Sequence, residues 1–120
     1  MKKRMAALVV TLGMAFAVSN AFAAGAIAVA DEEGLKASEV GYGIGSGSTR
    51  DEAGEDALRV CRKHGNSGCK VAVRYDTCGA YAGSKEKFGI GWGSSEEDAK
   101  SKALDDCGSE HCRIVVSDCQ

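Results

Sequence analysis

Basic charge is in short supply in this chain: 15 Lys and Arg stand against 17 Asp and Glu, a net charge of −2. Three of the basic residues (Lys2, Lys3, Arg4) and none of the acidic ones lie in the first 23 residues, so the remainder carries 12 against 17, a net charge of −5. Such a surface repels phosphate backbones and anionic lipid alike, which argues against nucleic acid as a partner. A nucleotide fingerprint is lacking too. Gly43-Ile44-Gly45-Ser46-Gly47-Ser48 and Gly89-Ile90-Gly91-Trp92-Gly93-Ser94 do not fit G-x-G-x-x-G, and no Walker lysine accompanies them. Histidine is limited to His64 and His111, so Cys61-x-x-His64 and His111-Cys112 are weak zinc signals, and no metal or cofactor is expected. No spacing organises Ser46, Ser94 or Ser117 with either histidine into a nucleophile and base. The chain reads as non-enzymatic, with a small periplasmic hydrolase as the alternative.

What is present begins with an export leader. Met1-Lys2-Lys3-Arg4 is a basic start, Met5–Val18 is apolar, and Ala21-Phe22-Ala23 is a small-x-small cleavage site. A retained membrane anchor is the other reading, but the apolar run stops at Ser19-Asn20, short of the roughly 20 residues that a spanning helix needs. Cleavage after Ala23 leaves 97 residues, enough for one domain over 24–120. It exposes no N-terminal cysteine for lipid attachment, so the product is expected in the periplasm or outside the cell, without a membrane anchor. All six cysteines fall in this part, and an even count in a small exported chain reads as three disulfides rather than free thiols or a metal cluster.

The remaining chain is written twice. Tyr42–Cys61 and Phe88–Cys107 align without a gap at an offset of 46, with nine of twenty positions identical. Chance would give about one or two. The match extends upstream, where Gly25-Ala26-Ile27-Ala28 answers Gly79-Ala80-Tyr81-Ala82. Downstream, Cys69–Val73 answers Cys112–Val116. Two units result, about residues 25–78 and 79–119. Up to Val73 or Val116 they differ in length only at the connections before Tyr42 or Phe88 and before Cys69 or Cys112, as loops allow.

Each unit reads as ββαβ. Ala26–Ala30 and Val40–Ser46 are short apolar or alternating runs, as are Ala80–Gly83 and Lys87–Trp92. A helix follows, capped by Thr49 or Ser95, with Ser48 or Ser94 as the alternative caps. Asp51, Glu52, Glu96 and Glu97 then sit where the helix dipole favours negative charge. Ala53, Ala57 and Cys61 share one helix face, repeated by Ala99, Ala103 and Cys107. The helix ends near His64-Gly65 or at Gly108. A β-branched strand closes each unit, Val71–Tyr75 or Ile114–Val116. The fold class is α+β: two ββαβ repeats form one small disulfide-stabilised domain of six strands and two helices. Gly43, Gly45 and Gly47 share one face of their strand, which lets another backbone approach; the alanine face of the helix is the natural occupant, with the opposite assignment open.

Six cysteines allow 15 pairings, and among those that preserve the pseudo-symmetry of the two units one is the simplest. Joining each helix end to the next strand gives Cys61–Cys69 and Cys107–Cys112, and leaves Cys78–Cys119 to clasp the units together. For a binding surface, the positions where the copies differ are the informative ones. Trp92 stands where the first copy has Ser46, and Tyr81 where it has Ile27. With Phe88 and Tyr42 they are read as an exposed aromatic patch, core packing being the alternative.

The Gly-Ala-x-Ala strand, the Gly-x-Gly-x-Ser/Thr turn, the Ala-x-x-x-Ala-Leu-x-x-Cys helix and the Cys-x-Val-x-Val strand together resemble the secreted bacterial domain of unknown function 4189, over Gly25–Cys119. The resemblance implies an exported, cysteine-containing protein, with virulence-associated secreted factors among mycobacterial members, and supplies no catalytic residue. The expectation is a non-enzymatic binding protein of the envelope or secretome. It would act through Trp92 and Tyr81 on an unidentified protein or envelope component, as an inhibitor, an immunity or adhesion factor, or a ligand of a host protein.

Overall fold

The structure, a computed structural model, describes residues 23–120; the leader read over 1–23 lies outside them, Ala23 excepted. Strand β1 is Ala24–Ala30, β2 Gly41–Gly47 and β3 Lys70–Tyr75, with helix α1, Arg50–Lys63, between the last two. The second unit repeats the order as β4 (Cys78–Gly83), β5 (Phe88–Gly93), α2 (Glu96–Cys107) and β6 (Arg113–Cys119). Two antiparallel three-stranded sheets result, ordered β2-β1-β3 and β5-β4-β6, so the first strand of each unit lies in the middle. The central pairings shift register at Ile27/Ala28 and at Tyr81/Ala82, equivalent places in the two units.

The caps are Thr49 and Ser95. Thr49 Oγ1 accepts from Glu52 N and Ser95 Oγ from Asp98 N, each at 3.1 Å. Ser48 contributes differently: its amide and hydroxyl both donate to Glu52 Oε1, and these bonds hold the Glu52 carboxyl below its ordinary pKa. Gly108 ends α2 at φ 73°, in the left-handed region.

Alternation then decides the layers. In β2 and β5 the glycines face the helices. A Cβ on Gly45 would come within 3 Å of Ala57 N and Ala53 O, and one on Gly91 within 3 Å of Ala99 O and Ala103 N. The helices therefore lie backbone-close on their sheets, with Ala53, Ala57 and Cys61, or Ala99, Ala103 and Cys107, fully buried against Ala26 and Ala28 or Ala80 and Ala82. The other faces of the two sheets meet. Ile27, Val29, Val73, Tyr75, Tyr81 and Val116 form this inter-sheet core, giving four layers in the order helix, sheet, sheet, helix.

Two tyrosines tie the halves across that core. The Tyr75 ring lies against Gly25 and Gly79, equivalent residues of the two central strands, and its hydroxyl donates to Asp118 at 2.7 Å. Tyr81 donates to Asp31 at 2.6 Å. Burial, reinforced by the acceptor carboxylate, pushes both phenols above their ordinary pKa. A folded-state pKa above the unfolded value of about 10 means stability complete below pH 10 and lost as the pH rises further. Two of the three tyrosines should therefore ionise only with unfolding. In an alkaline titration followed at once by tyrosinate absorbance and circular dichroism, ionisation of two phenols ahead of structural loss would contradict this placement. Tyr81→Phe should cost about 1.5 kcal/mol, the order of a hydrogen bond to a charged acceptor, read from a urea midpoint.

The bridges are Cys61–Cys69, Cys107–Cys112 and Cys78–Cys119, and no free cysteine is found among the described residues. The third departs from its expected role. Cys78 opens β4 and pairs in register with Cys119 of β6, so the bond is a cross-strand link inside the second sheet and does not clasp the two units. Only Asp76 and Thr77 separate β3 from β4. The unit that Cys78 seemed to close ends before it.

Candidate aromatic binding surface

Strand β5 is the outer strand of its sheet. Since Gly89, Gly91 and Gly93 face α2, Phe88, Ile90 and Trp92 must project from the opposite side, where the two sheets meet. At the edge of the sandwich this side is open: Phe88 is 62% and Trp92 56% exposed. Phe88 stacks on Tyr81 with ring centroids 5.9 Å apart and planes 13° apart. A cleft of about 460 Å³ borders Phe88 and Ile90, and one of about 480 Å³ borders Ile90 and Trp92; both reach Ala72 of β3. The two form one trough along β5.

Unequal loops explain why this side is uncovered. In the first unit the connection from β1 to β2 runs ten residues, sending Leu35 and Val40 into the inter-sheet core and laying the 3-10 turn Ala37–Glu39 beside β6. Its counterpart, Ser84–Lys87, is four residues long and closes on itself through Ser84 N to Lys87 O at 2.8 Å. No equivalent loop is left to cover β3 and β5.

The rim is polar. Beside Trp92, Arg50 grips Asp76 with two bonds of 3.0 and 2.7 Å, which holds the Asp76 carboxyl below its ordinary pKa. The pair is exposed on both sides, so it orients the rim more than it stabilises the fold. Edge amides are guarded: Ile90 N donates to Asp106 at 2.9 Å, and Ser46 N donates to Asp56 at 3.0 Å. Arg59 first, then the Ser46 amide, lowers the Asp56 pKa. The guards are not equivalent residues, since Asp106 matches Val60 and Asp56 matches Lys102. Each of these bonds occupies one donor of an outer strand.

The four aromatic residues do not form one patch. Tyr81 is corrected: it is 2% exposed, a core residue sharing the inter-sheet face of Ile27, the residue it replaces. Tyr42, 38% exposed, sits on β2, at the other edge of the first sheet from β3 and so away from the trough. Phe88 and Trp92 do share a surface. Ile90 joins them; it is identical to Ile44, so divergence between the copies does not mark it, and the alternation Phe88-x-Ile90-x-Trp92 is the sequence signal that does. The other reactive residues are scattered. His64 Nδ1 lies 3.3 Å from Tyr42 O, and Ser117 Oγ donates to Glu96 at 2.6 Å. Neither histidine hydrogen-bonds Ser46, Ser94 or Ser117 among the described residues.

A family model described as a domain of unknown function (DUF4189) matches residues 24–119, the whole of both repeats. The chain belongs to that family. No curated protein and no solved structure matches it. In this DUF4189 domain, three disulfides in so small a core fit a non-reducing compartment outside the cytosol. Among the described residues no helix is long and apolar enough to cross a membrane.

Proposed function

We propose that this DUF4189 chain is an exported, non-enzymatic binding protein that holds a partner protein or envelope component against the Phe88–Ile90–Trp92 row. The observation that carries the reading is the exposure of two large aromatic rings, 62% and 56%, on a strand whose other face is consumed by helix packing. Exposed aromatics on a rigid, disulfide-held scaffold make contact at little entropic cost, and Trp in such places is enriched among residues that dominate binding. Trp92→Ala should weaken capture of the partner by about 30-fold, the scale of a 2 kcal/mol hot spot. Stability should move by no more than about 0.5 kcal/mol, as for other exposed sites. A variant that binds undiminished removes the row from the function.

Export rests on the leader at Met1–Ala23. Cleavage after Ala23 leaves every described element whole, since β1 starts at Ala24. Intact-mass analysis of the protein from periplasm or culture medium should find Ala24 at the N-terminus with three disulfides formed. A cytosolic chain beginning at Met1 with free thiols would contradict it.

A further inference from the structure

We infer that a second cleft, on the opposite side of the Ser84–Lys87 hairpin, binds a small organic anion with an apolar body. This cleft of about 720 Å³ lies between the 3-10 turn, the hairpin and β6. Lys36, Lys85, His111 and Arg113 line it over Ile114 and Val115, with Glu86 as the one acidic residue on its wall. Its volume is of the size that small-molecule sites have.

The charges there are not neutralised. None of Lys36, Lys85 and Arg113 has a carboxylate within 4.0 Å; the ion pairs among the described residues use Arg50, Arg59, Lys100 and Lys102 instead. Glu39, three residues after Lys36, turns its carboxylate back to the Lys36 amide at 2.8 Å. Lys36, Lys85 and Arg113 thus share this cleft with Glu86 as its only acidic residue, although acids outnumber bases 17 to 12 beyond the leader. The guanidinium of Arg113 is held in place: Nη1 donates to Glu110 O and Cys112 O, both at 2.9 Å, and its other N–H groups remain free.

The repeat shows that the net positive charge of this cleft is not scaffold. The equivalent cleft of the other unit is the Phe88 end of the trough, where Gly68 and Lys70 match His111 and Arg113 and the rim carries Asp31, Glu32 and Glu33. Both clefts carry three Lys or Arg side chains, Lys70, Lys85 and Lys87 in the first and Lys36, Lys85 and Arg113 in the second, but the acids Asp31, Glu32 and Glu33 line only the first, so only the second carries a net positive charge. A planar guanidinium suits a carboxylate or phosphate, the lysines add attraction, and Ile114 and Val115 accept an alkyl portion.

The test uses the oxidised mature domain, with octanoate as probe, octanamide as its uncharged counterpart and inorganic phosphate as a headgroup alone. In a ¹⁵N-resolved titration, octanoate should give saturable shifts at Lys85, Arg113, Ile114 and Val115. Phosphate should move the same amides more weakly, and octanamide should not move them. Lys85→Gln and Arg113→Gln should each weaken octanoate binding by about tenfold, the worth of one charge-assisted bond. Trp92→Ala should leave it unchanged, which separates this site from the aromatic row. No saturable shift into the millimolar range, equal shifts with octanamide, or shifts confined to the Phe88 row would overturn the inference. So would full affinity in Lys85→Gln, an exposed hairpin side chain whose loss does not disturb the Arg113 loop.

Discussion

Gly45→Ala should destabilise the fold by about 3 kcal/mol or more, and Gly91→Ala the same, although each adds a single methyl group. At both positions the new carbon would fall within 3 Å of helix backbone atoms, Ala57 N and Ala53 O or Ala99 O and Ala103 N. A side chain could turn away from such an intrusion; a helix backbone cannot. The whole helix must lift from its sheet, opening the Ala26/Ala57 or Ala80/Ala103 contacts that are fully buried. Overpacking a core commonly costs 1–3 kcal/mol, and a rigid backbone obstacle puts these sites at about 3 kcal/mol or more. A domain of this size has only some 5–15 kcal/mol to lose. Gly83→Ala is the control: a Cβ there meets its nearest neighbour at 3.6 Å, an ordinary contact, and should be tolerated. Cooperative urea unfolding of Gly45→Ala within about 1 kcal/mol of the parent would show that the helices are not packed this closely.

Removing the Cys78–Cys119 bridge by paired alanine substitution should cost more than removing either other bridge. It closes a loop of 41 residues holding the entire second unit, against separations of 8 and 5 for Cys61–Cys69 and Cys107–Cys112. Chain entropy then assigns it about 4 kcal/mol, and the others about 2.5 and 2 kcal/mol. The first unit shows that this strand pair can be built without a bridge, since Ala24 and Asp76 occupy the equivalent places. The expected outcome is thus a weakened native fold and not a different one. Cys119 is also exposed while Cys61 and Cys107 are buried, so limited reduction followed by alkylation and mass mapping should label Cys78 and Cys119 first. A urea midpoint shifted less by this pair than by Cys107→Ala/Cys112→Ala would overturn the ranking.

The repeat made the ββαβ units and the glycine–alanine contact legible, because both follow from local periodicity and from what two copies share. Three things were hidden for physical reasons. Cys78 aligned as the end of the first unit, yet the turn at Asp76-Thr77 is so short that it already belongs to β4. Tyr81 looked like a surface residue because it replaces Ile27, but each sheet is covered on both faces, and a single sequence does not say which face meets the other sheet. Finally, the extra length before Tyr42 was visible as a loop. That this loop shields the side of β6, and leaves Phe88, Ile90 and Trp92 open on the other, is a property of the sandwich alone.

The central claim is that the shared positions build the scaffold and that the exposed row on β5, which differs from the first copy at Phe88 and Trp92, does the binding. The most direct measurement compares the oxidised mature domain with its Phe88→Ser/Trp92→Ser variant in capture from envelope extract, at matched stability. The account predicts the same disulfides, a urea midpoint changed little, and the loss of every partner that the parent protein retains. Equal capture by both proteins would contradict it.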